Sequence, residues 1–278
     1  MSDVPMIRFY NGVEIPQLGF GVFQVPPAET RRAVLAAFEA GYRHIDTAEM
    51  YRNEEGVGAA LAESGLARDE VFITSKLNNG NHRRADALRA LDGTLKALGI
   101  DQIDLFLIHW PLPAQDLYVE AWQALEEIYR DGRARAIGLS NFTARHIERL
   151  LTGTDVTPVL DQIELHPYLN QAEMRAFNAG HQIVTEAWSP IGGQGGAVLS
   201  DPTLAALGEK YGKSPAQVVL RWHVELGNVV IPKSTQPARM VENFDIFDFE
   251  LDPDDVAAIS GLDRNGRVGP NPETFNRR

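Results

Sequence analysis

The sequence has no cysteine among its 278 residues. Disulfide bonds, cysteine-ligated zinc and thiol catalysis are therefore excluded. It also lacks a long hydrophobic run, since no stretch approaches the ~20 apolar residues of a membrane-spanning helix. The N-terminal segment, MSDVPMIRFYNG, has no apolar stretch typical of a signal peptide. These absences predict a soluble protein of the cytoplasm.

Positive charge is scarce as well. The chain has 26 lysines and arginines and 38 aspartates and glutamates, which gives a formal net charge of −12. Proteins that bind nucleic acids usually carry a basic face, so this balance argues against nucleic acid as a partner. It does not exclude a local basic pocket for a phosphorylated cofactor. Hydrophobic residues make up 44% of the chain, which is enough for one large core.

Short β-rich apolar runs alternate with helical patterns along the whole chain. Strict alternation indicates a mostly parallel sheet, and eight such units in about 250 residues are typical of a (β/α)8 TIM barrel. The candidate strands lie near residues 19–22, 43–47, 71–76, 105–109, 136–140, 159–164, 183–188 and 229–232. Helices are predicted over residues 28–40, 143–151, 173–179, 215–224, 238–244 and 253–260. Without a linker or low-complexity segment, residues 1–278 are predicted to form a single domain.

An Asn11-Gly12 pair between two short β-rich runs precedes the first of these strands. Such a pair is a strong signal for a β-hairpin, and we expect this N-terminal hairpin to cap the bottom of the barrel. The alternative architecture is an open doubly wound sheet, which would favour G-x-G-x-x-G after its first strand. Residues 23–27 read Phe-Gln-Val-Pro-Pro instead, so the closed barrel is favoured.

Side chains with useful chemistry fall at the predicted carboxyl ends of the strands, where such barrels form their active sites. Asp46 ends the second strand, and Tyr51 follows it closely. Lys76 ends the third strand and His109 the fourth. Each residue alone has an ordinary structural explanation, such as a helix cap, a solvated lysine or a core histidine. Their occurrence together at consecutive strand ends favours a shared active site.

These four residue types together can donate a proton to a developing alkoxide. A tyrosine titrates near pH ~10, and a nearby lysine ammonium would lower that pKa. An aspartate would keep the lysine charged and fixed, while a histidine could orient a carbonyl oxygen. Side chains cannot supply hydride, so a nicotinamide cofactor is required.

Other possible sites carry weaker signals. Residues 208–214 resemble a phosphate-binding P-loop, but one residue is missing between the glycines and the segment lies in a helical region. A metal site from His109, Glu164 and His166 lacks the usual spacings, and no metal is predicted. The glycine-rich residues 192–196 follow the seventh strand and are either a phosphate-approaching loop or a plain flexible one.

Long motifs around these positions resemble the aldo-keto reductase family over nearly the whole chain. They are GYRHIDTAEMYRNEEGVG from Gly41, TSKL at Thr74, LFLIHWP at Leu105, IGLSNF at Ile137, QIELHPYLNQ at Gln162 and VIPKSTQPARMVENFDIFDFEL at Val230. The chain is similar to the bacterial subgroup of 2,5-diketo-D-gluconate reductases. The resemblance implies that Tyr51 is the general acid, that Asp46 and Lys76 tune it, and that His109 orients the carbonyl.

The resemblance also implies an NADPH site without a Rossmann fold. Ser140, Asn141 and Gln162 would hold the nicotinamide carboxamide, Trp188 would stack on its ring, and Ser189, Pro190, Ile191 and Gly192 would cover the pyrophosphate. The 2′-phosphate and adenine would be held by Lys233, Ser234, Thr235, Arg239, Glu242 and Asn243. Two cations at one site fit a doubly charged phosphate and predict a preference for NADPH over NADH.

Some positions depart from the family pattern near the substrate pocket. The candidates for the substrate pocket are Phe23, Met50, Asn78 and Trp110. Phe23 and Trp110 are either apolar walls of this pocket or ordinary core aromatics, and Asn78 stands where many relatives carry tryptophan. We expect a more open and more polar pocket for this reason, and a short C-terminal tail favours the same outcome. Asp161 replaces a frequent asparagine before Gln162, and Thr235 replaces a common valine.

The leading hypothesis is therefore NADPH-dependent reduction of an aldehyde or ketone, such as a keto-sugar or a dicarbonyl, by a monomeric enzyme. One alternative is a non-catalytic subunit that binds NADPH and reports redox state. A sugar isomerase or aldolase is another, in which Lys76 would form a Schiff base. The four strand-end residues together favour the reductase, since a pure binding protein has no need of all of them.

Overall fold

Residues 4–193 and 197–277 are described by the structure, a computed structural model. Two short antiparallel strands come first, β1 (Met6–Arg8) and β2 (Glu14–Pro16), and the Asn11-Gly12 pair lies in the turn between them. Eight parallel strands follow in chain order. They are β3 (Phe20–Gly21), β4 (His44–Asp46), β5 (Phe72–Leu77), β6 (Ile103–Ile108), β7 (Ala134–Ser140), β8 (Leu160–Glu164), β9 (Val184–Trp188) and β10 (Val229–Val230).

The sheet closes on itself through the segment around β3. The amides of Gly19 and Gly21 donate to the carbonyls of Val230 and Pro232 at 2.8 and 3.1 Å, and the amide of Val230 donates to the carbonyl of Gln17 at 2.9 Å. These bonds join the first parallel strand to the last. The predicted (β/α)8 barrel is thus confirmed, and the open doubly wound sheet is wrong.

Ten α-helices of the described residues connect and surround the strands. They are α1 (Pro27–Ala40), α2 (Glu54–Glu63), α3 (Arg84–Leu98), α4 (Tyr118–Arg130), α5 (Ala144–Thr152), α6 (Ala172–Gly180), α7 (Pro202–Tyr211), α8 (Pro215–Glu225), α9 (Pro237–Phe244) and α10 (Pro253–Ser260). Several begin with proline in the first turn, where no backbone donor is lost. All six helices predicted from the sequence are confirmed to within one residue at each end.

Gly41 shows why one of these helices ends where it does. Its φ of 109° is in the left-handed region, and its amide donates to the carbonyl of Phe38, which closes the end of α1. A Cβ at Gly41 would lie 2.8 Å from the ring of Phe244 on α9. The glycine therefore ends the helix and also allows α1 and α9 to pack closely.

Apolar side chains fill two regions, one inside the barrel and one between the strands and the helices. Inside, Phe72, Leu105 and Leu160 meet Phe9 and Ile15 from the hairpin. Since the hairpin residues contact the N-terminal half of the barrel interior, the hairpin covers the bottom of the barrel as predicted. The outer region includes Ile45, Ile73, Phe106, Trp122 and Leu125. No helix in the described part of the chain has the length and hydropathy of a membrane span.

The P-loop-like segment lies at the end of α7 and the turn that follows it. The amide of Lys213 donates to the carbonyl of Gly208 at 2.9 Å, and that of Gly212 donates to Glu209. The Lys213 ammonium pairs with Asp245 and Asp248. These donors of the segment are therefore directed at acceptors within the fold.

Candidate active site

The four predicted catalytic residues meet at the C-terminal mouth of the barrel. Asp46 ends β4, Lys76 lies one residue before the end of β5, and His109 directly follows β6. Tyr51 ends a 3₁₀ turn over Glu49–Tyr51. Its ring centroid lies 5.1 Å from the Lys76 ammonium and 5.6 Å from the His109 ring. Neighbouring parallel strands therefore bring together residues that are far apart in the sequence.

Lys76 is completely buried and is held by three acceptors. Its ammonium donates to Asp46 Oδ1 at 2.6 Å, to Asp46 Oδ2 at 2.8 Å and to the Thr47 carbonyl at 2.9 Å. Burial lowers the pKa of Lys76, but Asp46 and Tyr51 raise it by more, so that the net pKa lies above its ordinary value. Lys76 is thus a fixed positive charge beneath Tyr51.

Tyr51 corrects one expectation from the sequence. Burial raises its pKa, and although Lys76 lowers it as expected, Asp46 acts in the opposite direction. The net pKa of Tyr51 therefore lies above the ordinary value of a tyrosine, because the loss of hydration outweighs the lysine ammonium. At neutral pH the hydroxyl is protonated, as a proton donor must be.

His109 is buried and neutral. Burial and then Lys76 hold the pKa of its imidazole well below the ordinary value. Its Nδ1 is buried without a hydrogen-bond partner among the described residues, and its backbone carbonyl accepts a bond of 3.0 Å from Asn141 Nδ2.

The residues predicted to hold the nicotinamide form one hydrogen-bonded group beside this site. Trp188 Nε1 donates to Asn141 Oδ1 at 2.8 Å, and Asn141 Nδ2 donates to Ser140 Oγ at 3.0 Å. The Ser140 hydroxyl donates to the backbone carbonyl of Gln162. Asn141 has a φ of 64°, in the left-handed region that non-glycine residues rarely adopt. Such backbone is found preferentially at functional sites.

The predicted pyrophosphate segment shows the same kind of backbone. Ser189 has a φ of 49° and Gly192 a φ of 85°, while the Pro190 carbonyl is bonded to the His223 ring. A Cβ at Gly192 would lie 2.2 Å from Val198, so only glycine fits there. Ile191 is half-buried. Of the glycine-rich loop 192–196, residues 194–196 lie outside the described residues.

The positions predicted to bind the 2′-phosphate lie after β10 and on α9. Lys233, Thr235 and Arg239 are exposed, and within residues 4–193 and 197–277 neither cation forms an ion pair. Ser234 is buried, and its hydroxyl accepts a bond from the Gln236 amide at the start of α9. Two unpaired cations beside a helix N-terminus fit a phosphate dianion. On the same helix, Glu242 accepts a bond from Ser214, and Asn243 is buried.

The four predicted substrate positions differ in their exposure and in their contacts. Phe23 is 54% exposed, and its ring centroid lies 5.0 Å from that of Tyr51. Met50 is also exposed. Trp110 is buried by the Phe275 ring. The Asn78 side chain accepts a bond from the amide of its own neighbour, so it shapes a turn as well as the rim of the mouth.

The C-terminal segment reaches across the mouth, although its shortness led us to expect an open cleft. Phe275 covers Trp110, and the Arg277 carbonyl accepts a bond of 2.8 Å from Asn79 Nδ2. The buried Glu164 carboxylate anchors the start of this segment by accepting the amides of Val268 and Gly269 at 2.6 and 2.9 Å. The C-terminal segment therefore covers one side of the mouth, where the smaller Asn78 side chain does not.

Sequence reasoning missed two buried polar residues beneath the site. Glu186 lies two residues before Trp188 on β9, and His44 lies two residues before Asp46 on β4. Because side chains alternate along a strand, each shares the interior face with its predicted partner. A charged or ionisable residue on the interior face of a parallel strand is the signal that could have found them.

The chain matches a protein-family model and several known proteins. The model of the aldo/keto reductase family matches residues 17–264. The chain is 48% identical to the methylglyoxal reductase DkgA of Escherichia coli strain K12, over 99% of both chains. It is 52% identical to an aldo/keto reductase from Brucella melitensis of known crystal structure, with a TM-score of 0.91 over 95% of this chain and 99% of that one.

A third relative has been solved with a nucleotide bound. The crystal structure of a Gox0644 mutant in complex with NADPH is 45% identical, with a TM-score of 0.94 over 99% of both chains. Identity at this level over the whole length relates the chains as members of one family, beyond the shared barrel fold.

Proposed function

Because the chain belongs to the aldo/keto reductase family and is thus an NADP-dependent oxidoreductase that acts on carbonyl groups, we propose that Tyr51 is the general acid of its reaction. The observation that carries this proposal is the position of the Tyr51 ring against both the Lys76 ammonium and the His109 imidazole. Bound NADPH would supply the hydride that the carbonyl carbon accepts. The tyrosine hydroxyl then gives its proton to the carbonyl oxygen, which becomes the alcohol.

Among the groups around Tyr51, Lys76 lowers the cost of this proton transfer. Once the proton has left, the tyrosinate is next to the Lys76 ammonium, and their attraction is strong because the ammonium is completely buried. Asp46 holds the ammonium with both oxygens and so fixes its position. Lys76 therefore stabilises a charge that exists only after the chemistry begins, which is the requirement for catalysis.

His109 would orient the carbonyl oxygen. A neutral imidazole has one N–H donor, and burial keeps this ring neutral. The donor can hold the carbonyl oxygen beside the Tyr51 hydroxyl without competing for its proton. We expect His109→Gln to lower kcat more than it raises KM, since the lost interaction strengthens as the alkoxide forms.

For the cofactor we propose the arrangement that the motifs imply. Ser140, Asn141 and Gln162 would hold the carboxamide and Trp188 would stack on the ring, while residues 189–192 would cover the pyrophosphate. Lys233 and Arg239 are exposed and form no ion pair with any residue that the structure describes, which supports a 2′-phosphate site to which Ser234 and Thr235 would add hydroxyls. Glu242 and Asn243 reach the adenine, and the bond from Ser214 fixes the Glu242 carboxylate for that role.

For the substrate we propose a small dicarbonyl such as methylglyoxal, or a keto-sugar. Phe23, Met50 and Trp110 provide apolar walls, and Asn78 provides a polar rim. The Phe275 ring lies against Trp110, and a pocket wall formed by these two rings would favour a small substrate. The name of the Escherichia coli relative, a methylglyoxal reductase, points to the same class.

The general acid is tested by NADPH oxidation with methylglyoxal. We expect Tyr51→Phe to lower kcat by about 10³-fold or more, because the proton donor is lost while the ring is retained. Tyr10→Phe is a matched control, since the Tyr10 hydroxyl bonds to the Thr157 carbonyl on the hairpin side of the barrel. Full activity in Tyr51→Phe would disprove the proposed role.

We also propose that residues 1–278 act as one domain and that the protein is a monomer. All eight parallel strands belong to one closed sheet, and the C-terminal segment bonds back to the barrel mouth. Sedimentation velocity should show one species with the mass of a single chain, and a concentration-dependent second species would contradict this.

A further inference from the structure

A chain of buried polar side chains runs through the interior of the barrel beneath Tyr51. Barrels of this type are usually filled by branched apolar side chains. Here the polar column consists of His44, Asp46, Lys76, Gln162 and Glu186, and each is at most 2% exposed. Five polar residues in place of apolar ones carry a large desolvation cost, so their arrangement requires an explanation.

Gln162 is the bridge of this polar column. Its Nε2 donates to Asp46 Oδ2 at 2.7 Å and to Glu186 Oε2 at 2.7 Å. An amide nitrogen has two hydrogens, so each carboxyl group receives one. Glu186 is therefore connected through Gln162 to Asp46, and through Asp46 to the lysine beneath Tyr51.

The column contains two carboxyl groups but only one cation. Lys76 gives two of its bonds to Asp46 and one to a backbone carbonyl. His44 Nε2 lies 3.8 Å from Glu186 Oε1, but burial and then Lys76 lower the pKa of His44 to about 3, so this ring is neutral. Oε1 of Glu186 has no hydrogen-bond partner among the described residues. Glu186 thus lacks a positive partner of its own.

The protonation state of Glu186 follows from the lack of a positively charged partner. Burial and then the Asp46 charge raise the pKa of Glu186 to about 8. The groups that face it are His44 and Asp46 from β4, Lys76 from β5, the neutral Gln162 from β8, and Tyr51 above. On its other side Glu186 pairs with the apolar Val229 of β10. At neutral pH its carboxyl group is protonated.

We propose that Glu186 is a positioning residue for the reaction assigned above to Tyr51: it holds Gln162 against Asp46 while protonated, and it weakens Tyr51 as an acid when it ionises. This inference rests on the proposed function. An ionised Glu186 adds a second negative charge to the column and raises the pKa of Tyr51. A higher pKa makes the tyrosinate less stable and proton donation slower.

The expected consequence is a decline of reductive kcat/KM as the pH rises through about 8, the pKa of Glu186. Glu186→Gln keeps the shape of the side chain and an oxygen that can accept from Gln162, but it cannot ionise. We therefore expect the decline in this variant to move upward by about one pH unit or more, with near wild-type kcat at neutral pH.

Asp161→Asn is the matched control. Asp161 is the neighbour of Gln162 on β8, is equally buried, and burial raises its pKa to about 8 as well. Its Oδ1, however, accepts a bond from the Phe142 amide, outside the barrel interior. The decline with pH should stay at its wild-type position in this variant. A Glu186→Gln profile that coincides with the wild-type profile would overturn the inference.

A second measurement does not depend on activity or on the folding of Glu186→Gln. In pH-difference infrared spectra, Asp161→Asn should retain one protonated-carboxyl band that disappears near pH 8, since Glu186 remains. The absence of that band would also overturn the inference. The Tyr51→Phe variant separates the two proposals. If this variant is active, Tyr51 is not the general acid, whatever the Glu186 variants show. If it is inactive, the role of Tyr51 stands and the Glu186→Gln results alone decide the role of Glu186.

Discussion

Phe275 lies against Trp110 with their ring centroids 4.4 Å apart. Phe275 belongs to the C-terminal segment, and Trp110 directly follows His109 at the end of β6. The segment is held on both sides of this contact, by Glu164 at Val268 and Gly269 and by Asn79 at its end. The contact thus holds the C-terminal segment against the residue that follows His109.

Removal of the Phe275 ring should weaken substrate binding. We expect Phe275→Ala to raise KM for a small dicarbonyl about tenfold, with kcat within about twofold, since the ring contributes apolar contact equally before and during the reaction. Steady-state kinetics measure both. Phe249→Ala removes a half-buried ring that contacts Tyr211 instead and should leave KM unchanged. A fall in kcat at constant KM would contradict this explanation.

Replacement of Lys76 should affect both activity and stability. In Lys76→Met the buried Asp46 loses its cation, and removal of one partner of a buried ion pair costs about 3–5 kcal/mol. We expect the free energy of unfolding to fall by that amount and kcat to fall by about 10³-fold or more. Urea denaturation and kinetics provide the two measurements. Lys210→Met breaks the ion pairs of a half-exposed lysine with Asp252 and Asp255, and its unfolding midpoint should change much less than that of Lys76→Met.

The choice between NADPH and NADH should depend on Arg239. We expect Arg239→Ala to raise KM for NADPH about tenfold or more and to leave KM for NADH nearly unchanged, because only NADPH carries the 2′-phosphate. The effect of Lys233→Met should be smaller, since an ammonium cannot form the paired bonds of a guanidinium. Arg89→Ala on α3 is the control. Equal losses for both cofactors would show that Arg239 does not read the phosphate.

Asp161 should make the protein less stable as the pH rises. Its folded-state pKa of about 8 lies above its ordinary value of 3.8, so folding binds a proton between these limits. The contribution of this carboxyl to the free energy of unfolding is fully present below pH ~4 and is lost as the pH rises through about 8. The loss is at most about 1.4 kcal/mol per pH unit. We expect Asp161→Asn to unfold at higher urea than wild type at neutral pH.

The same comparison at acid pH provides the check on that prediction. Below pH ~4 the Asp161 carboxyl is protonated in both the folded and the unfolded protein, so the stability advantage of Asp161→Asn should shrink. A difference between the two proteins that stays constant from acid to neutral pH would contradict a raised pKa at Asp161.

The strand ends and the catalytic candidates could be predicted because their signals are local. A short apolar run ends in a polar residue, and parallel strands of one barrel place such ends in the same mouth. Asp46, Lys76 and His109 were found in this way, and Asn11-Gly12 marked the hairpin. Strand lengths were less accurate: β6 begins at Ile103, and β10 spans two residues where four were expected. The ends of a strand are defined by its hydrogen bonds to the adjacent strand, and that strand is distant in the sequence.

The sequence by itself determined the alternation, the strand-end residues and the family. Only the tertiary structure showed that Gln162 joins Asp46 to Glu186 across three strands, that Phe275 returns to cover Trp110, and that burial outweighs Lys76 at Tyr51. Closure of the barrel determines which distant side chains become neighbours. A pKa is then the sum of desolvation and charge at those distances, and neither quantity exists until the chain has folded.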